Sequence, residues 1–292
     1  MYNNDILNKG AAKAAERPYY EFGDTLYHYT NLTALNGMLF GKKELWLGED
    51  SFMNDTKELT DFIDKLKTAC LDPANQDNQQ KYIEFFDKVY AHVKSNYPYI
   101  MSFSRRIDDA AQWERYADNA RGLCIEFNTY NLAKILYTTN SAAFLEDVFY
   151  DYDAHQHEHC KIVKSWIENN EFLEGFSDED GLIDNIVATA SSYKHNSFSA
   201  EDEIRAIILF IGSFSKAIRV EYETLNGIVK KYAKIDLTTA CKEAGINLQD
   251  LFNGIIIGPR SQQNIHTLQE YLINGGYERL ANNITVSECP LR

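Results

Sequence analysis

The sequence predicts an α+β protein, and three observations lead to that class. Several short segments have the apolar, β-branched composition of strands, and the strongest of them is Ala206–Ile211. Segments with apolar residues at helical spacing lie between some of the strands, at 57–70 and 79–95. The predicted strands and helices do not alternate regularly, which argues against a doubly wound parallel sheet.

The composition is that of a globular protein with an acidic surface. The 292 residues are 45% hydrophobic, which is enough for a sizeable core, and no linker-like cluster of Pro or Gly divides them. The formal net charge of -14 argues against an overall electrostatic attraction to nucleic acid, although a local basic groove can still exist. We expect one domain over 24–292, preceded by a polar arm over 1–23, with helical insertions near 57–95 and 155–195.

The cysteines and the absence of long apolar runs predict the compartment. The five cysteines are widely spaced and form no CxxC pair, a usage typical of reduced thiols. No run approaches the length of a membrane span, and the first residues lack an apolar signal core. We therefore expect a cytoplasmic protein with no membrane partner.

The segment Leu26–Leu32 contains the first candidate ligand contacts. It has the composition of a short strand that leads into a helix. Side chains alternate along a strand, so His28 and Thr30 share one face while Tyr27 and Tyr29 share the other. A polar pair at a strand-to-helix turn is a common place for a ligand contact, but a His in a strand is also commonly a hydrogen-bonded structural residue.

A polar turn over 50–58 provides a second candidate region. Asn54 and Asp55 can cap the helix that begins there, with Glu58 placed as in a capping box. The same side chains can instead project into a site and bind substrate. The sequence leaves both interpretations open.

Hydroxyl and aromatic side chains follow in the next segment. A predicted strand ends with Ser102 and Ser104 on one face. The short helix after it places Trp113 and Tyr116 three residues apart, so their rings share a helix face. Such a pair can belong to the core or can form a stacking wall for a planar ring.

The segment 155–160 contains three histidines and a cysteine, which are residue types that bind metals. In a strand the three histidines would share one face, whereas in a helix, which the following pattern favours, His157 would not align with the other two. No second cluster of ligand residues lies nearby. We therefore expect the polar start of a helix here and no metal site.

Acidic residues lead into the strongest predicted strand. In extended backbone Glu201, Glu203 and Arg205 face the same way. Two close carboxyl groups can differ in acidity and divide catalytic roles between them, and Arg205 can keep one of them ionised. The alternative is a charged loop at the edge of the sheet.

The order of the motifs supports a family resemblance. They are YHYT, MNDxxE, SFS with DxxxQWxxY, GxCIEF, ExEIR and IIIGPR, and they resemble a widespread bacterial family of uncharacterised domains from about Asp24 to Arg260. That family in turn looks like a distant branch of the ADP-ribosyltransferase fold, which implies a split antiparallel or mixed β-sheet core with helical insertions. The opening YHYTNL is also similar to the start of DNA-targeting ADP-ribosyltransferase toxins.

The resemblance implies NAD as a substrate, no metal, and a set of site residues. It implies that His28 donates to the NAD ribose, that Ser102 and Ser104 build the nicotinamide wall, and that Glu203 is catalytic with Glu201 beside it. No Gly-rich nucleotide motif is present, so arginines such as Arg105 would hold the pyrophosphate. We assign further NAD contacts to Tyr29, Thr30 and Tyr116, and substrate contacts to Asn54, Asp55, Trp113 and Arg205.

These roles predict an ADP-ribosyltransferase that modifies nucleic acid, RNA or DNA. The resemblance to toxins indicates a bacterial toxin or an anti-phage defence effector, for which an antitoxin-type inhibitor is a candidate partner. The alternatives are an ADP-ribosyltransferase that acts on protein, an NAD glycohydrolase with water as the acceptor, and a non-catalytic binding module that keeps the fold. A metal-dependent nuclease built on Asp55, Glu58 and the histidine segment is the most distant alternative.

Overall fold

The computed structural model describes residues 22–50, 58–71, 78–140, 142–154, 157–171, 178–209, 216–225 and 227–291. Helices and strands are mixed along this part of the chain around one large mixed sheet. The predicted α+β class is therefore confirmed. Most of the predicted N-terminal arm, the candidate contacts Asn54 and Asp55, and His155 lie outside the described residues.

The described residues form ten strands and ten α-helices. The strands are β1 (Thr25–Thr30), β2 (Glu44–Glu49), β3 (Tyr99–Ser104), β4 (Leu123–Asn128), β5 (Ala143–Asp147), β6 (Glu203–Ile208), β7 (Ile218–Leu225), β8 (Ile228–Asp236), β9 (Phe252–Ile257) and β10 (Ile284–Val286). The helices are α1 (Leu32–Leu39), α2 (Glu58–Cys70), α3 (Gln79–Ser95), α4 (Ala110–Tyr116), α5 (Thr129–Thr139), α6 (Glu158–Asn169), α7 (Glu179–Ser191), α8 (Leu237–Ala244), α9 (Ile265–Asn274) and α10 (Glu278–Ala281). Among these helices, none has the length and apolar character needed to cross a membrane.

Local capping chemistry explains where several helices begin. The side chain of Asn31 accepts a hydrogen bond from the backbone N–H of Ala34 and so caps α1. The carboxylate of Asp109 accepts from two backbone N–H groups in the first turn of α4. The two caps fix the first residues of α1 and α4, which follow β1 and β3 within a few residues.

The sheet divides at β3. One edge of β3 pairs along its whole length with β6. The other edge is shared, because Tyr27 of β1 lies opposite Ser104 while Gly48 and Glu49 of β2 lie opposite the first two residues of β3. Between these pairings, no described strand pairs with Met101–Phe103 on that edge. The sheet therefore opens into a split between β1 and β2.

The two halves of the sheet continue outward from the split. Strands β4, β9 and β10 follow β1, and strands β8 and β7 follow β2. All pairings are antiparallel except that of β9 with β10, which makes the sheet mixed. Strand β7 lies at an edge of the sheet, whereas β8 pairs with both β2 and β7.

Two larger hydrophobic cores and one smaller core stabilise this arrangement. The largest lies between one face of the sheet and helices α1, α5, α8, α9 and α10. A second core is formed mainly by the amphipathic helices α2, α3, α6 and α7, which come from the two regions predicted as helical insertions. A third, smaller core packs Trp113 of α4 against Tyr29 and Cys124 on the opposite face of β1 and β4.

Candidate functional site

A cavity of about 420 Å³ opens where the sheet splits. Its walls come from β1, β2, β3 and β8, together with α4 and the segment that precedes β6. Seven of the predicted site residues line it, namely His28, Tyr29, Ser102, Ser104, Tyr116, Glu201 and Glu203. Residues separated by up to 175 positions in the sequence therefore meet in one cavity.

His28 lies at the split itself. Its Nδ1 is 3.0 Å from the carbonyl oxygen of Ser102, on the stretch of β3 whose edge opposite β6 has no strand partner among the described residues. A carbonyl oxygen can only accept, so we assign the hydrogen to Nδ1. Burial lowers the pKa of His28 although the bond to Ser102 opposes this, and the ring is therefore neutral at pH 7.

The neutral form of His28 changes its predicted role. With its hydrogen on Nδ1, the ring presents Nε2 as an acceptor. The sequence predicted that His28 donates to a ribose hydroxyl. The observed hydrogen bond instead leaves the imidazole able to accept from such a hydroxyl.

The carboxylate of Glu203 accepts hydrogen bonds from three side chains in the cavity region. Its Oε1 accepts from Ser102 Oγ at 2.5 Å and from Arg205 Nε at 2.8 Å, and its Oε2 accepts from Lys194 Nζ at 2.9 Å. Burial opposes ionisation, but the charges of Arg205 and Lys194 and these hydrogen bonds lower the pKa of Glu203 to about 2. Glu203 is therefore an ionised carboxylate at neutral pH, as the sequence predicted for one of the two acids.

Glu201 reaches the same cavity by a different backbone path. It ends a 3-10 helix over Asn196–Glu201, and Asp202 then has a left-handed φ of 47° before β6 begins. The prediction that Glu201 and Glu203 share an extended backbone is therefore wrong. Their carboxylates nevertheless meet, because Lys194 Nζ lies 2.8 Å from Glu201 Oε2 and also contacts Glu203.

Glu201 has further partners on α4. Its Oε1 accepts from Tyr116 OH at 2.8 Å and from Arg115 Nη1 at 3.0 Å. Burial and the neighbouring Glu201 raise the pKa of Tyr116, so its phenol stays protonated and donates. Tyr116 therefore lines the cavity and also orients one of its carboxylates.

Four residues that were predicted to contact NAD or the substrate do not line the cavity, and burial or ion pairing explains each case. Trp113 has no exposed surface and donates from Nε1 to Asp108, so it is a core residue and not a stacking wall. Thr30 is buried and does not line the cavity. Arg205 is fully buried and acts on Glu203. Arg105 pairs with Asp147 and Asp202 outside the lining.

Several lining residues were not predicted as site residues. Lys194, which joins the two carboxylates, precedes them by only seven and nine positions, and this proximity is a signal that could have identified it. The others come from β1, β2, β3, α4, β8 and the 3-10 helix: Tyr27, Trp46, Gly48, Glu49, Ile100, Met101, Phe103, Gln112, Phe198, Lys230, Lys231 and Tyr232. Those of β2 and β8 lie in none of the sequence motifs. Only the pairing of β2 with β8 and β3 brings the β2 and β8 members together.

Two of the three clustered histidines, His157 and His159, lie at the start of a helix. His157 caps α6, and the ring of His159 lies against that of His157 at a centroid distance of 4.9 Å. Nε2 of His159 lies 2.6 Å from the side-chain oxygen of Asn185 on α7, and burial lowers the pKa of His159 to about 4. In the described ranges, no group of three or more His, Cys, Asp or Glu residues has a geometry suited to a metal ion.

Comparison with known proteins gives one match. A family model described as a protein of unknown function (DUF2971) matches residues 112–206, a range that contains Tyr116, Lys194, Glu201 and Glu203. This agrees with the predicted resemblance to an uncharacterised-domain family, while the ADP-ribosyltransferase branch of that prediction receives no support from it. Neither curated proteins nor solved structures gave a match.

Proposed function

We propose that this protein is an NAD-dependent ADP-ribosyltransferase that acts on nucleic acid. The observation that carries the proposal is the cavity at the split of the sheet, where the ionised carboxylate of Glu203 and the neutral imidazole of His28 occur together. Ser102 links the two residues, because its carbonyl accepts from His28 and its hydroxyl donates to Glu203. One residue of β3 therefore positions both proposed functional groups.

The proposed reaction begins with cleavage of the bond between nicotinamide and ribose. The bonding electrons leave with nicotinamide, and C1′ of the ribose acquires oxocarbenium character. An ionised carboxylate beside the sugar stabilises this charge, and Glu203 is the group proposed for that role. His28 Nε2 would accept a hydrogen bond from a ribose hydroxyl and so orient the sugar.

The second half of the reaction transfers the ribosyl group. A nucleophile of the acceptor forms the new bond to C1′, and its proton passes to Glu201, the second carboxylate in the lining. Lys230 also lines the cavity and adds a positive charge there in a protein with a net charge of -14, whereas carboxylates compensate the charges of Lys194 and Lys231. The resemblance of YHYTNL to DNA-targeting toxins, together with the charge of Lys230, favours a nucleic acid as the acceptor.

The test is incubation of the protein with labelled NAD and separate pools of RNA, DNA and cell protein. We expect label in a nucleic-acid pool, and Glu203→Gln should lower the rate by about 10²–10³-fold, the range found when one electrostatic stabiliser of a transition state is removed. The matched control is Glu223→Gln on β7, which removes a carboxylate outside the cavity lining. Unfolding curves for both variants verify that they are folded.

The outcomes separate the candidates. Wild-type rates of transfer by a folded Glu203→Gln variant would contradict the assignment of Glu203. Label confined to the protein pool would point to a protein acceptor, and nicotinamide release without any added macromolecule would identify an NAD glycohydrolase.

A non-catalytic binding module is the second candidate, and the contacts of Glu203 favour it. Both carboxylate oxygens already accept from side chains, namely Ser102, Arg205 and Lys194. In a binding module these contacts would only stabilise the fold. That candidate predicts binding of NAD in calorimetry with no release of nicotinamide under any of the conditions above.

A further inference from the structure

The side of the cavity formed by β2 and β8 differs chemically from the carboxylate side. Trp46 and Gly48 of β2 and Lys230 and Tyr232 of β8 line it, and we call these four residues the aromatic recess. Trp46 and Tyr232 are partly exposed, with their ring centroids 5.3 Å apart. Two aromatic rings next to a lysine form a surface that suits a planar ring attached to an anion.

Gly48 leaves space in the aromatic recess. It lies directly opposite Tyr232 in the pairing of β2 with β8. A Cβ atom placed at Gly48 would meet only the Tyr232 ring, at 3.6 Å from Cε1, which is ordinary van der Waals contact. A glycine within a strand often marks a place where a ligand approaches closely, because it has no side chain to fill the space.

Contacts outside the recess hold the Trp46 ring in place. Its Nε1 donates to Glu44 Oε2 at 2.8 Å, and the ammonium group of Lys234 lies 3.9 Å from the ring centroid. A ring held by such contacts loses little conformational entropy when a ligand stacks on it. The recess is therefore preorganised for a flat ligand.

Lys230 differs from the neighbouring Lys231 in its charge balance. Lys231 Nζ lies 2.6 Å from Glu49 Oε1, so its charge is compensated. Lys230 forms no ion pair with any residue in the described part of the chain, although it lines the cavity. A lysine of this kind beside aromatic rings suits a phosphate group.

We propose that the aromatic recess binds one nucleotide unit, with its base against Trp46 and Tyr232 and its phosphate at Lys230. This site would serve the proposed transferase function, and what happens to the bound nucleotide depends on that function. Nucleotide binding itself is measured without turnover and can be tested separately. Two ligands contain such a unit, namely the adenylate half of NAD and a nucleotide within a nucleic-acid strand.

The experiment is calorimetric titration of the full-length protein with AMP, adenosine, NAD and a short single-stranded oligonucleotide. Gly48→Val fills the recess and should weaken AMP binding by about 5- to 150-fold, since base stacking on an aromatic ring is worth about 1–3 kcal/mol. Gly48→Ala adds only the Cβ and should have a smaller effect. Valine is favoured in strands, so Gly48→Val should remain folded, which a thermal unfolding curve verifies.

A second pair of variants tests the phosphate contact. Lys230→Gln should weaken binding of AMP while leaving that of adenosine unchanged, and Lys230→Arg should retain AMP binding. Competition with AMP then shows whether NAD or a nucleic-acid strand supplies the bound nucleotide. The ligand that occupies the aromatic recess should displace AMP from the wild-type protein but not from Gly48→Val.

Three results would overturn the proposal. The first is that the wild-type protein does not bind AMP. The second is equal AMP affinity in the wild type and a folded Gly48→Val variant, and the third is an equal loss of AMP and adenosine binding in Lys230→Gln. Failure of the transferase function is a separate result, because Glu203→Gln should lower transfer by about 10²–10³-fold but should leave AMP binding intact. AMP binding without any NAD turnover would therefore leave the nucleotide site in place and reject the enzyme.

Discussion

Two buried charge clusters in the same sheet have opposite signs at their centres. The carboxylate-centred cluster surrounds Glu203 and contains Ser102, Lys194 and Arg205. The lysine-centred cluster surrounds Lys234 on β8 and contains Glu44, Glu221 and Glu223. Both central groups are almost completely buried, with exposed side-chain fractions of 4% for Glu203 and 0% for Lys234. Each is kept charged by several groups of the opposite sign.

The clusters differ in what lies beside them. Glu203 lines the cavity at the split of the sheet, whereas Lys234 is absent from the lining and instead lies beneath the Trp46 ring. Burial opposes the charged form of Lys234, but hydrogen bonds to Glu223 and Glu221 raise its pKa. A shifted pKa and deep burial therefore do not by themselves indicate a functional group, because these two clusters share both properties and differ in their access to a cavity.

The largest expected effect on stability comes from removing Arg205. Its guanidinium has no exposed surface and holds Glu203, so Arg205→Met would leave a buried carboxylate with less compensation. We expect a loss of about 3–5 kcal/mol in the free energy of unfolding, measured by urea denaturation.

A double variant provides the control for Arg205. The double variant Glu203→Gln, Arg205→Met lacks both charges. It should be more stable than Arg205→Met alone, because it contains no uncompensated buried carboxylate. If the loss in the free energy of unfolding for the double variant equals the sum of the losses for the two single variants, Arg205 stabilises the protein through its packing and its contact with the Ser191 carbonyl.

The second effect is a loss of stability in acid. The folded-state pKa of Glu203 is about 2, below the ordinary value of 4.5, so its ionised form stabilises the fold above pH 4.5. As the pH falls from about 4.5 to 2 this contribution, of about 3 kcal/mol, is lost. Denaturation curves at a series of pH values should show this decrease in the wild type and a much smaller one in Glu203→Gln.

Glu221 supplies the comparison for the acid effect. Hydrogen bonds from Lys234 and Arg219 also lower its pKa to about 2, but its side chain is about one third exposed to solvent. Water screens these charges, so Glu221→Gln should change the acid dependence less than Glu203→Gln does. An equal change in both variants would show that burial does not distinguish the two clusters.

The smallest of these effects is expected from Lys234→Met. It removes a buried cation, but Glu221 and Glu223 are each about one third exposed and can be solvated by water. We expect a loss of about 1–3 kcal/mol in the free energy of unfolding, less than for Arg205→Met. A loss as large as that of Arg205→Met would indicate that Glu44, which is nearly buried, dominates the cluster.

Much of the secondary structure could be predicted because its signals are local. The strand that ends at Ser104 and the short helix that carries Trp113 and Tyr116 occur where the sequence predicts them, since strand composition and an Asp cap act within a few residues. The extended path predicted through Glu201 was wrong, because the left-handed conformation of Asp202 ends a 3-10 helix there. Alternation along a strand could not reveal that turn.

The candidate site was only partly predictable for a related reason. His28, Ser102 and Glu203 belong to recognisable motifs, and all three line the cavity. Trp113 belongs to a motif as well, yet it is a core residue, because helical spacing shows which side chains share a face but not what that face contacts. Trp46 and Tyr232 have no motif and enter the lining through strand pairing.

The sequence by itself determined the α+β class, the apolar faces of the helices and the presence of two acids before a buried strand. These features depend on interactions between residues that are close along the chain. Only the tertiary structure decided that β1 and β2 share one edge of β3, and that Lys194 joins Glu201 to Glu203. The reason is physical: strand pairing and the burial of charge depend on contacts between distant segments, and the balance of those contacts exists only once the sheet has formed.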